Sequence, residues 1–208
     1  PSARVIFYHR EGLEQAQVQM GHRSIPRAHA DYLKYRLSNF ILGGAFASRL
    51  NQKVRDDLGL TYSISSTIEG FRDVGIFKIE TFCAHEKLVQ TLQESFQVFN
   101  QFKKNGVKNS ELDSAKNMMI GQFPTVVETV DSQGALMAML RMYRVSDDYV
   151  KYYNYNLEQS KLSDVNDVIM KGYYPNELLM VVYGDKNKVK GLEQLPWPVE
   201  YKDYLSKK

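Results

Sequence analysis

Gln15-Ala16-Gln17-Val18-Gln19-Met20-Gly21-His22 alternates polar with apolar residues as far as Met20. A period of two puts Ala16, Val18 and Met20 on one face of a β-strand and the three glutamines on the other. The sheet containing this strand therefore has one face on a core and one in water. Upstream, Val5-Ile6-Phe7-Tyr8 is a second strand-like run, and with Glu11-Gly12 between them the two read as an N-terminal hairpin. Downstream of Pro26 the period changes. Leu33, Leu37, Phe40 and Ile41 recur at helical spacing up to Gly43-Gly44, where a helix would find a left-handed cap.

The remaining chain divides in the same way. A helix is expected from about Phe46 to Leu58, with Leu50 and Val54 inward and Gly59 as its C-terminal cap. Runs 61–68 and 74–83 form a second hairpin through the loop 69–73. Leu88, Leu92, Phe96 and Phe99 make a helical stripe closed by Gly106, and Ser110 with Asp113 reads as a capping box for the next helix. Residues 129–143 and 147–160 continue the helical pattern, and Ser163 is expected to cap one more short helix. The apolar hexad Leu178–Tyr183 suits a strand buried on both faces. The tail 197–208 is polar and is assigned no element. The order is β-β-α-α-β-β-α-α-α-α-α-β, an α+β fold with a largely antiparallel sheet and helices layered on one face. No linker or repeat divides it, so residues 1–208 are read as a single domain.

Composition narrows the function classes. Among 208 residues, 43% are hydrophobic and 25% charged, which is ordinary globular usage. Lys and Arg number 27 against 24 Asp and Glu. A net charge of +3 is no electrostatic footprint for nucleic acid, and a nucleic-acid module would have to show steeply salt-dependent binding. No apolar run approaches the ~18–20 residues of a membrane span, so a soluble chain is expected, cytoplasmic or periplasmic, with the compartment open. The chain begins at Pro1 without an initiator Met, which suggests a processed product or a piece of something longer.

Chemistry-bearing residues are sparse. His9, His22, His29 and His85 have no partner at ligand spacing, and neither H-E-x-x-H nor H-x-x-E-H occurs. A shared metal role for His22 and His29 across a loop is the weaker reading. Cys83, the single cysteine, has the strand parity of Phe77 and Ile79 and reads as a small buried hydrophobe. There is no G-x-S-x-G and no phosphate-cradling glycine loop. The tyrosines of 151–159 read as packing. One pair remains, Arg55 in the last turn of a helix and Tyr62 seven residues on. Spacing alone favours plain roles for both, with Arg55 complementing the helix C-terminus and Tyr62 joining Ile64 and Ile68 in the core.

The stretch Ile41-Leu-Gly-Gly-Ala-Phe-Ala-Ser-Arg-Leu50, followed by Val54-Arg-Asp-Asp-Leu-Gly-Leu-Thr-Tyr62, resembles the second-domain signature of the M16 (pitrilysin/insulysin-like) zinc metallopeptidases. Gln15-Ala-Gln-Val-Gln-Met-Gly21 is similar to the same family's Q-A-x-I-x-x-G strand, and the element order runs parallel across nearly the whole chain. The resemblance implies a substrate-binding half that binds no metal itself. Its partner would be a catalytic N-terminal M16 domain or subunit that carries zinc on H-x-x-E-H, and its ligand a peptide substrate. No catalytic set is complete in this chain. By motif position, Arg55 and Tyr62 would reach the substrate backbone near the scissile bond. A permanently charged guanidinium suits a peptide carbonyl, and a phenol suits the oxyanion formed as zinc-bound water attacks. A catalytically inactive M16-like assembly subunit is the alternative expectation.

Overall fold

In the computed structural model, which describes residues 2–204, the glutamine-alternating strand lies inside a six-stranded sheet. The strands are β1 (Arg4–His9), β2 (Gln15–Ser24), β3 (Ile64–Gly70), β4 (Gly75–Ala84), β5 (Leu179–Gly184) and β6 (Val199–Asp203), in the spatial order β3-β4-β2-β5-β1-β6. β2 runs antiparallel to both β4 and β5, and β3 antiparallel to β4, whereas β1 runs parallel to β5 and β6. One row of paired residues crosses the whole sheet on its inner face: Ser66, Ile79, Met20, Met180, Val5 and Val199. The next row, Ser65, Glu80, Gln19, Val181, Ile6 and Glu200, faces away. Gln19 donates to Glu80 there at 2.8 Å, as a polar cross-strand pair in water should.

The helices cover the inner face. They are α1 (Tyr32–Asn39), α2 (Leu88–Asn105), α3 (Asn109–Val126), α4 (Val130–Met142), α5 (Asp148–Lys151), α6 (Tyr153–Gln159) and α7 (Leu162–Gly172). α2 buries Leu88, Leu92, Val98, Phe99 and Phe102, and α7 buries Val165, Val168 and Ile169. At the centre Tyr173 is fully buried among the rings of Tyr35, Phe77, Phe99 and Phe102. Its hydroxyl is satisfied by Ser38 at 2.8 Å, the partner a buried phenol needs. Cys83 is buried, and burial pushes its thiol pKa up, as expected of an inert core cysteine.

Several local expectations are corrected. β1 and β2 do not form a hairpin, because β5 lies between them and pairs with both. β5 is central, but its exposure alternates and Leu179, Val181 and Tyr183 are only half-buried, since helices cover one face of the sheet. Part of the polar tail forms β6, held by Tyr201 on Phe7 and by Trp197 on Phe96, with ring centroids 5.9 and 4.8 Å apart. Glu111, not Asp113, reaches back to the start of α3, accepting from the Lys108 N–H at 2.8 Å. Ser163 lies inside α7, where Asp164 accepts from the Lys161 N–H at 3.4 Å. The second hairpin stands as β3 and β4, and Gly59 and Gly106 cap as expected, at φ +57° and +65°.

Candidate functional site

The motif segment 41–62 folds as two tight helical pieces and a turn against the free edge of the sheet, β3. Phe40–Gly44 continues α1 as a π-helical turn, and Asn51–Asp57 is a second π-helical segment. Gly43-Gly44 is therefore no left-handed cap. Gly43 lies so close to β3 that a Cβ there would stand 2.5 Å from Ser66 Oγ and 2.7 Å from Leu50 Cδ1. Asn39 locks the same contact, donating to the Ser66 carbonyl at 2.9 Å and accepting from the Ser66 hydroxyl at 2.8 Å. Arg49, also within the motif, forks onto Glu111 with both contacts at 2.7 Å and donates to the Gly106 carbonyl at 2.9 Å. That bidentate geometry ties the motif to the start of α3.

Arg55 and Tyr62 line one open cavity of about 590 Å³, together with Phe46, Thr61 and Ser63. The Arg55 guanidinium lies over the Phe46 ring, 3.8 Å from its centroid, while Nε donates to Asp56 at 2.8 Å. The guanidinium is thus held between a ring face and a carboxylate. Tyr62 is not a core residue. It precedes β3, lies 85% exposed, and its hydroxyl has no protein partner among the described residues. Thr61 fixes that orientation: its hydroxyl donates to the Phe82 carbonyl at 2.5 Å and accepts from the Ser63 N–H at 3.1 Å and from the Thr81 hydroxyl at 3.0 Å. Lys87 holds the preceding Gly59 carbonyl at 2.7 Å. The turn is anchored on both sides of Tyr62, so the phenol projects outward. Phe46 and Thr61 were not singled out from the sequence. Phe46 was legible as the one large residue in the otherwise small-residue run 43–48.

His22 and His29 do not converge, whereas His9 and His85 both contact Asp185. His22 is packed between Phe77 and Tyr174, its Nδ1 bonded to the Arg23 carbonyl at 2.7 Å and its Nε2 accepting from the Tyr174 N–H at 3.2 Å. Burial lowers its pKa, which favours the neutral ring this pairing requires. His85 Nε2 accepts from the Asp185 N–H at 2.9 Å, and His29 lies at the surface with its Nδ1 accepting from Asp31 at 3.1 Å. Among the described residues no group of three or more His, Cys, Asp or Glu could hold a metal ion, so the donor set does not fit a zinc site. None of their helices is long and apolar enough to cross a membrane.

The chain is similar to known proteins in sequence and fold. Over 151 residues the chain is 28% identical to the uncharacterized zinc protease YmxG of Bacillus subtilis (strain 168), covering 70% of this chain and 37% of that protein. It is also 28% identical over 208 residues to the non-peptidase homolog YmxG of Helicobacter pylori, covering 91% of this chain and 43% of the relative. The chain thus spans less than half the length of both. The crystal structure of a peptidase M16 inactive domain from Pseudomonas fluorescens matches with a TM-score of 0.78 at 25% identity, covering 91% of this chain and 45% of that one. The model of the peptidase M16 inactive domain matches residues 1–119, and with more than half its length so matched, this chain belongs to that family.

Proposed function

We propose that residues 1–208 form a single domain that serves as the substrate-binding half of a zinc metalloendopeptidase. In this reading the metal and the catalytic centre belong to a partner domain or subunit carrying H-x-x-E-H, and the substrate is a peptide. The observation that carries the reading is the cavity shared by Arg55 and Tyr62, with a guanidinium braced on Phe46 and a phenol that has no protein partner among the described residues. Arg55 would hold a backbone carbonyl, and Tyr62 would donate to a carbonyl oxygen as negative charge grows on it. Arg55 is held in place by Asp56 and Phe46, and Tyr62 is the exposed member of the pair.

The test reconstitutes this chain with its catalytic half and assays peptide hydrolysis. Tyr62→Phe, which removes only the donor, is expected to lower the rate by on the order of 10²-fold. Arg55→Ala is expected to raise KM as well, since it holds ground state and transition state alike. Activity in the 208-residue chain alone, or indifference to both substitutions, would sink the proposal. A second reading, a catalytically inactive assembly subunit, draws on one observation: the Helicobacter pylori relative is named a non-peptidase homolog. A partner lacking an intact H-x-x-E-H favours that reading.

A further inference from the structure

A second cavity, of about 580 Å³, opens between α1, β3 and helices α3 to α6. Arg27 and Arg36 both line it, and no aspartate or glutamate does. Arg27 is only 6% exposed, and its guanidinium is stacked between the rings of Tyr32 and Tyr149, 4.4 and 4.6 Å from their centroids. Arg36 donates to the hydroxyl of the same Tyr149 at 3.2 Å. One ring thus carries a cation on its face and another at its rim. Two buried polar atoms here lack any hydrogen-bond partner, Arg27 Nη1 and Thr67 Oγ1, and Thr67 lines the cavity too. The arginines that do pair with carboxylates, Arg49, Arg55 and Arg141, lie elsewhere.

Two like charges withdrawn from water without a counter-charge are unfavourable, and stacking on aromatic faces satisfies none of their N–H groups. The arrangement is complete once an anion enters. We propose that this cavity binds a carboxylate, received by Arg27 and Arg36 as paired donors. A planar fork matches a carboxylate's two oxygens better than it matches a single acceptor. Phe123 and Met139 on the same cavity wall add that the carboxylate is carried on an apolar group. Gly44 borders both this cavity and the one holding Arg55 and Tyr62, so a peptide is the source the position fits, either through its C-terminus or through an acidic side chain. That choice of source rests on the substrate-binding reading; the carboxylate site does not.

Calorimetric titration of the full 208-residue chain, with no catalytic half present, tests the site. The probes are acetyl-Ala-Ala-Leu with a free carboxylate, its C-terminal amide, and an amide-capped acetyl-Ala-Glu-Leu. The free acid is expected to bind at least about tenfold more tightly than its amide, since a hydrogen bond to a charged group contributes that much. Arg36→Gln should weaken the acid by about 10–100-fold and leave the amide unchanged, with Arg36→Lys intermediate because a lysine is a point charge. Arg36 is the residue to vary because Arg27, wedged between two rings, carries packing as well; a thermal melt confirms that each variant is folded. Binding of the capped glutamate peptide assigns the site to acidic side chains as well as chain ends, and its failure beside a bound free acid assigns it to chain ends. Equal affinity for acid and amide, or indifference of the acid to Arg36→Gln in a folded variant, overturns the proposal. Loss of the peptidase reading alone would leave these affinities in place.

Discussion

Gly43 has no space for a side chain, because Ser66 and Leu50 already occupy the position a Cβ would take. Gly43→Ala is therefore expected to destabilise the protein by about 1–3 kcal/mol, the usual range for overpacking a closed contact. A fall in the urea midpoint with unchanged slope would register it, and an unchanged midpoint would show that the π-helical turn yields at no cost. In the sequence the two glycines read as a helix cap, since a glycine at the end of a periodic stripe is the ordinary sign of one. Their actual use, close approach to a strand more than twenty residues on, leaves no local trace. Tyr62 teaches the same lesson from the other side. Its parity with Ile64 assigned it inward, but parity applies only inside a strand, and β3 begins at Ile64 after a turn pinned by Thr61.

At the scale of elements, Arg49, just ahead of the second π-helical segment, joins Glu111 of α3 across 62 residues of sequence. Burial by itself would raise the Glu111 carboxyl, but the Arg49 hydrogen bonds and the Lys108 N–H outweigh it and hold the group below its ordinary range. A carboxylate with a depressed folded pKa contributes stability above its unfolded value, near ~4.3 for glutamate, and loses it as the pH falls through the folded value. Arg49→Ala should thus be clearly destabilising near pH ~6, with the gap to wild type narrowing toward pH ~3. Melting temperatures of the two proteins at both pH values decide it, and a gap that does not narrow refutes the linkage. The helix stripes themselves were legible in sequence, as were the caps at Gly59 and Gly106, because period and left-handed termination are set within a few residues. The capping partner of α3 was not, since the helix begins at Asn109 after Lys108, which puts Glu111 rather than Asp113 at the capping-box position.

For the whole molecule, β6 closes one edge of the sheet. It covers the outer side of β1, and Trp197 and Tyr201 seal it with Phe96 and Phe7. Deleting residues 196–208 is expected to bare the β1 ladder, lower the melting temperature and cause concentration-dependent self-association, because an uncovered strand edge templates pairing with another chain. Size-exclusion chromatography across a range of concentrations measures this, and a monomeric, equally stable truncation would show that β6 is dispensable.

The sequence by itself determined the alternation of β2, the apolar stripes of the main helices, the second hairpin, and the motif that singles out Arg55 and Tyr62. The first three follow from periodicity and turn chemistry, which act along the chain over a few residues. Tertiary structure decided the rest. β5 separates β1 from β2, and the polar tail supplies a strand, because strand neighbours are chosen by long-range burial. The same long-range packing carries Arg27 and Arg36 to a shared tyrosine 113 residues beyond Arg36, where both line one cavity.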